Sequence, residues 1–151
     1  MVTVNSILPD TRDDVAAMLA TVAAHLDPDG GRFVAIMPAY DATRHLRRLW
    51  HDHTLATTGS PAEAERVAAA FHRQRHMDDT LLRYADDGAS PQSYHTPDSL
   101  DRELTAAGLE LLEEPAKVHY PWELARRFDY GWFPDADEEI WDWFVVARRR
   151  R

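Results

Sequence analysis

"LDPDGGRFVAIMPAYD", residues 26–41, reads as a helix end, a tight glycine turn, a buried strand and a polar-aromatic loop. Pro28 and Gly30-Gly31 stop a helix and turn the chain. Phe33 to Met37, "FVAIM", is apolar at every position. A strand apolar on both faces is normally covered by helices on both sides, as in a parallel α/β sheet. Pro38 then ends the strand. The loop after it lies at the strand's carboxyl end, where open α/β sheets bind ligands. Pro38 and Tyr40 are therefore candidate substrate contacts. Asp41 fits better as the cap of the next helix.

The flanking segments extend the pattern. In "MVTVNSIL" Val2 and Val4 alternate with Thr3 and Asn5, which predicts a short strand. Pro9-Asp10 breaks it. Thr11 reads as an N-cap with Asp14 three residues on. Val15, Met18, Leu19, Val22 and Leu26 then form one helical stripe. Downstream, Thr43 to His53 reads as a helix with Leu46, Leu49 and Trp50 inward. "TTGSP" breaks it, and Ser60, Pro61 and Glu63 start another helix, to about Met77. That helix is expected to bury Val67 and Phe71. Thr80–Tyr84 and Gln92–His95 flank Asp86-Asp87-Gly88 and predict a hairpin. Thr96-Pro97 opens a helix with Leu100 and Leu104 inward, closed by Gly108. Leu109 to Glu113 is a strand that resumes through Val118 and Tyr120. "PWELARRF" from Pro121 is a short helix, and Trp141 to Ala147 is the last strand. Such alternation predicts three layers, helices on both sides of a sheet. The link before the last strand is long enough for a crossover or an antiparallel return.

Bulk properties narrow the function. The 151 residues suit one domain, and 44% apolar residues argue for a packed core. The chain has no cysteine, which excludes disulfides, thiolate metal sites and cysteine nucleophiles. A cytoplasmic location fits that composition. No apolar run approaches the roughly 20 residues needed to span a bilayer, and "MVTVNSILPDTRDD" lacks the features of a signal peptide. A net charge of −9 repels nucleic acid. The basic tail, Arg148 to Arg151, reads as a solvated end.

Two clusters carry possible chemistry. His72 and His76 lie four apart on one predicted helix and could grip a metal ion, with His51 and His53 near in sequence. Arg73 and Arg75 beside the pair would repel a cation, so a solvated helix face is the better reading, and no metal is expected. "KVHYPWELARRFDYGWF" is dense in aromatics. His119, Tyr120 and Trp122 in it are candidate substrate contacts, because small-molecule pockets combine apolar walls with a few polar groups. Ordinary packing of the sheet end, or an oligomer contact, would use the same residues. A hydrolase is disfavoured, since no G-x-S-x-G elbow is present.

The order of pieces resembles the C-terminal half of a class I S-adenosylmethionine-dependent methyltransferase. "VTVNSIL" resembles that family's fourth strand. "LDPDGGRFVAIMP" is similar to its Pro-Gly-Gly type turn and fifth strand, with Asp29 as an extra residue. "YHTPDSLDRELTAAGLELLEE" resembles the sixth-strand unit, and "WDWFVVARRR" the seventh strand, antiparallel in that family. The resemblance implies a partial Rossmann-like three-layer α/β sandwich over residues 1–151, with a helical and hairpin insertion. It implies methyl transfer from S-adenosylmethionine to a small-molecule acceptor, with Asn5 and Ser6 near the donor's methionine part. The same two residues could instead cap the turn before Pro9.

The family holds its donor with a glycine-rich loop after the first strand and an acid after the second. None of the six glycines here forms that loop. The N-terminal donor-binding half is missing, so the chain alone is expected to be inactive. A start codon assigned too far downstream, or a truncated gene, would explain this. The fourth strand would then have an open edge, which invites pairing with a missing N-terminal half or with a second copy. A non-catalytic α/β interaction module using that edge is the alternative function.

Overall fold

The computed structural model describes residues 2–3, 11–74, 77–80, 82–84, 92–119 and 140–151. The first helix begins as its sequence dictates. Thr11 is extended and its hydroxyl oxygen accepts from the Asp14 N–H at 3.2 Å, opening α1 (Arg12–His25). Val15, Leu19 and Val22 of the expected stripe are buried, with Leu26 at the C-cap, while Met18 is only partly covered. The glycine turn follows. Asp29 N–H donates to the Asp27 carboxylate at 2.9 Å, so the extra residue is taken up in an Asx turn. Gly31 N–H donates to the Asp27 carbonyl, also at 2.9 Å. A Cβ at Gly31 would lie 2.7 Å from Asp27 N and 2.8 Å from Asp27 O, so only glycine permits this approach.

The chain then forms an α/β fold around one open sheet. β1 (Val2–Thr3) pairs parallel with β2 (Phe33–Pro38), and β2 pairs antiparallel with β7 (Trp141–Arg149). β5 (Leu109–Leu111) and β6 (Ala116–His119) both pair antiparallel with the far edge of β7. Leu111 faces Ala147 and Ala116 faces Phe144, so five steps on one side match three on the other. β5 and β6 are thus one interrupted strand with a two-residue bulge, and β1, β2, β5 and β6 share a direction. The final strand is an antiparallel return, inserted between β2 and β5, and reaches Arg149 rather than Ala147. Tyr120, the short helix expected from Pro121, and the link to Glu139 lie outside the described residues.

Alternation places Phe33, Ala35 and Met37 of β2 with Trp141, Trp143, Val145 and Ala147 of β7 on one face. α4 (Pro97–Ala106) joins α1 there through Leu100 and Leu104. α4 carries the expected Thr96 cap, here a full capping box with Ser99, and Gly108 closes it at φ 80°. On the other face Val34, Ile36, Phe144 and Val146 are half-buried, and among the described residues they belong to neither apolar cluster. The apolar run "FVAIM" reports a strand with an apolar second face, which need not be a helix-covered one.

The helix expected from Thr43 begins earlier, and α2 spans Tyr40–Thr58. Its N-cap is Ala39, without a side-chain bond, so Asp41 is not the cap. The first helical N–H, Tyr40 N, is instead satisfied at 2.8 Å by the His95 carbonyl, which removes the need for a capping side chain. Gly59, at φ 67°, ends α2. Ser60 accepts from Glu63 N–H at 3.2 Å to start α3 (Pro61–Gln74). α3 buries Phe71, but Ala64 and Ala68 rather than Val67 are its other buried positions. Tyr40, Leu46, Phe71 and Met77 make a second apolar cluster. The expected hairpin is present but short, β3 (Arg83–Tyr84) against β4 (Gln92–Ser93). Among the described residues no helix is long and apolar enough to cross a membrane.

Candidate functional site

α2 leaves β2 at its carboxyl end, β6 ends at His119, and antiparallel β7 starts at Trp141. All three therefore meet at the carboxyl edge of the parallel strands. Between them lies an open cleft of about 950 Å³. α2 contributes Asp41, Arg44, His45, Arg48 and His51 to one wall. Their spacing of three and four puts them on one helix face, opposite the buried Leu46 and Leu49. Lys117 and His119 alternate outward from β6 on the other wall, and both are exposed.

Trp141 forms the floor. It is 7% exposed, and its ring centroid lies 5.4 Å from that of His45 and 6.3 Å from that of His119. The Lys117 ammonium sits 3.6 Å from the ring centroid, a cation–π contact. Among the described residues the buried Trp141 indole N–H has no hydrogen-bond acceptor. Arg48 lies 2.9 Å from His45 Nδ1. A guanidinium only donates, so Nδ1 is the acceptor and the His45 proton is on Nε2. Burial pushes the Asp41 carboxyl up from its ordinary range, against the weaker pull of Arg44 and Lys117.

A second polar group lies at the start of α1. Arg12 donates to Glu103 at 2.6 Å and to the carbonyls of Tyr94 and Leu82. His95 is fully buried, with Nδ1 3.2 Å from Arg12 and 3.0 Å from Glu103. Burial lowers its pKa, outweighing the neighbouring Glu103 and Asp142, so the ring is held neutral. Whichever nitrogen carries the proton, Nε2 has no partner among the described residues. The His95 backbone ties the sheet edge together. Its N–H donates to the Pro38 carbonyl at 2.8 Å, and its carbonyl accepts from Trp143 Nε1 at 3.1 Å. Asp142, opposite Pro38, accepts from Ala39 N–H at 3.2 Å. Pro38 has no N–H to give the ladder, and the carboxylate takes the next one.

The candidate residues from sequence divide three ways. His119 lines the cleft. Pro38 is buried in β2, and Tyr40 is buried in the second apolar cluster, away from the cleft lining, with its hydroxyl donating to Asp79 at 2.9 Å. Burial and Asp79 raise the Tyr40 pKa, so its hydroxyl keeps its proton. Asn5, Ser6, Tyr120 and Trp122 lie outside the described residues, as does His76 of the histidine pair. Sequence reasoning missed Arg44, His45, Arg48, Lys117 and Trp141. The helical spacing of Asp41, Arg44, His45 and Arg48 was the available signal, hidden because only apolar stripes were traced along that helix.

The chain matches no protein-family model and no curated protein. The described residues also do not fit S-adenosylmethionine by themselves. Gly30, Gly31, Gly59 and Gly108 serve a turn and two helix ends, and none stands in a loop that could cradle a nucleoside. A donor would have to be held by other residues.

Proposed function

We propose that this chain is the acceptor-side half of an S-adenosylmethionine-dependent methyltransferase of the class I type, acting on a small molecule and inactive alone. One observation carries the reading. Three parallel strand units in chain order, β1, β2 and β5, are followed by a last strand that returns antiparallel, with α1 and α4 on one face. That agrees with the order of stretches on which the resemblance rests. The cleft at the carboxyl edge of the sheet would receive the acceptor, and its walls would orient it and exclude water, the main demands of an in-line displacement. The donor half would pair along β1. Among the described residues nothing pairs with the outer edge of β1.

The same open edge favours a second reading, an interaction module that pairs through β1 without catalysis. Transfer of a tritiated methyl group separates the two. The product of the longest reading frame containing this chain should label a small-molecule acceptor, and the 151-residue chain should not. A full-frame product that forms stable dimers through β1 yet neither binds donor nor transfers methyl would favour the module.

A further inference from the structure

We infer that the cleft between α2, β6 and Trp141 binds a small molecule bearing a doubly charged phosphate group. The chain as a whole carries a net charge of −9, yet this cleft gathers four permanent cations, Arg44, Arg47, Arg48 and Lys117, against two carboxylates. One of those carboxylates, Glu65, lies 3.8 Å from Arg47. The other, Asp41, faces the charges of Arg44 and Lys117. Two positive charges are left in excess, and no described carboxylate lies within ion-pair distance of Arg44, Arg48 or Lys117. Like charges converge on one site at a cost in mutual repulsion, which a bound anion relieves. A singly charged carboxylate would leave half of that excess in place, while a phosphate monoester offsets two charges and offers three acceptor oxygens.

The donors suit such a group. Arg44 and Arg48 are exposed on one face of α2 and Lys117 on β6 opposite, each with N–H donors for phosphate oxygens. The Trp141 indole N–H is buried at the floor without an acceptor among the described residues. The volume, about 950 Å³, is that of a small-molecule site. The cations come from two facing walls rather than an extended stripe, and the surrounding negative charge disfavours nucleic acid. This inference deepens the methyltransferase reading by naming the acceptor's class, but the binding itself needs no donor and is read from the cleft alone.

The test titrates phenyl phosphate into the 151-residue chain at low ionic strength, followed by calorimetry and by the Trp141 indole N–H signal in NMR. Saturable binding with Kd at or below about 1 mM is expected, with the Trp141 signal shifting. The exposed pair Arg44→Gln and Arg48→Gln should weaken it by about tenfold or more with unchanged melting, while Arg44→Lys and Arg48→Lys retain it. Benzyl alcohol should not bind. Absence of saturation would overturn the inference. So would binding that ignores the double substitution, or preference for an oligonucleotide. Phosphate binding without methyl transfer by the full-frame product would leave this inference standing and sink the methyltransferase reading.

Discussion

Replacing Arg12 by Met tests how α1 is fastened to the sheet edge. Arg12 bridges three segments far apart in sequence, reaching Glu103 on α4 and the carbonyls of Tyr94 and Leu82 beside the hairpin. Its side chain is 26% exposed and that of Glu103 21%. Removing one partner of a fully buried pair costs about 3–5 kcal/mol, and an exposed pair is worth about 0–1 kcal/mol. With three quarters of each group out of water, and the Leu82 bond long at 3.4 Å, a loss of about 2–3 kcal/mol is expected. For a chain of this length that is a fall in Tm of about 4–12 °C. Urea unfolding of Arg12→Met, Glu103→Met and the double variant gives the coupling directly. The second substitution should cost about 1–2 kcal/mol less in the background of the first. A loss under about 0.5 kcal/mol, or strict additivity, would refute the bridging role.

The other perturbations address the remaining parts of the site. His95 has a folded pKa below its ordinary 6.5, so between those two values the unfolded chain binds a proton that the folded chain does not. Stability should therefore fall as pH drops below about 6.5, by up to about 1.4 kcal/mol per unit. In His95→Gln that part of the slope should vanish, and an unchanged slope would show that His95 does not carry it. Gly31→Ala should destabilise by about 1–3 kcal/mol because its methyl meets the Asp27 backbone at 2.7 Å, whereas Gly30→Ala, with open space around it, should be neutral or slightly stabilising. Equal effects on thermal melting would show that the turn is misplaced. Tyr40→Phe removes the bond to Asp79 and should cost about 1 kcal/mol while leaving phenyl phosphate affinity unchanged. Weaker affinity would return Tyr40 to the cleft wall.

Local signals made most of the fold legible. Thr11, Ser60 and Thr96 each announce a helix through a hydroxyl one turn ahead of an apolar stripe, and each caps as expected. The Gly30-Gly31 turn and the apolar strand after it were equally local. What failed was tertiary. The start of α2 depends on a carbonyl from His95, 55 residues away in sequence from Tyr40, so no nearby residue marks it. Whether helices cover the second face of a strand depends on other segments, and Val34 and Ile36 look the same in sequence either way. The cleft needed two elements at once. His119 was found through its aromatic neighbours, but the cations opposite it became a site only when β6 and α2 were set face to face. The Arg12–His95–Glu103 group was invisible for the same reason, since its members come from three separate segments.

The in-frame DNA upstream of the Met1 codon tests the half-domain account most directly. The account predicts an open frame encoding a strand, a G-x-G-type loop before a helix, and an acidic residue after the next strand. A stop codon or unrelated sequence there would contradict it, and the open edge of β1 would then belong to an interaction module.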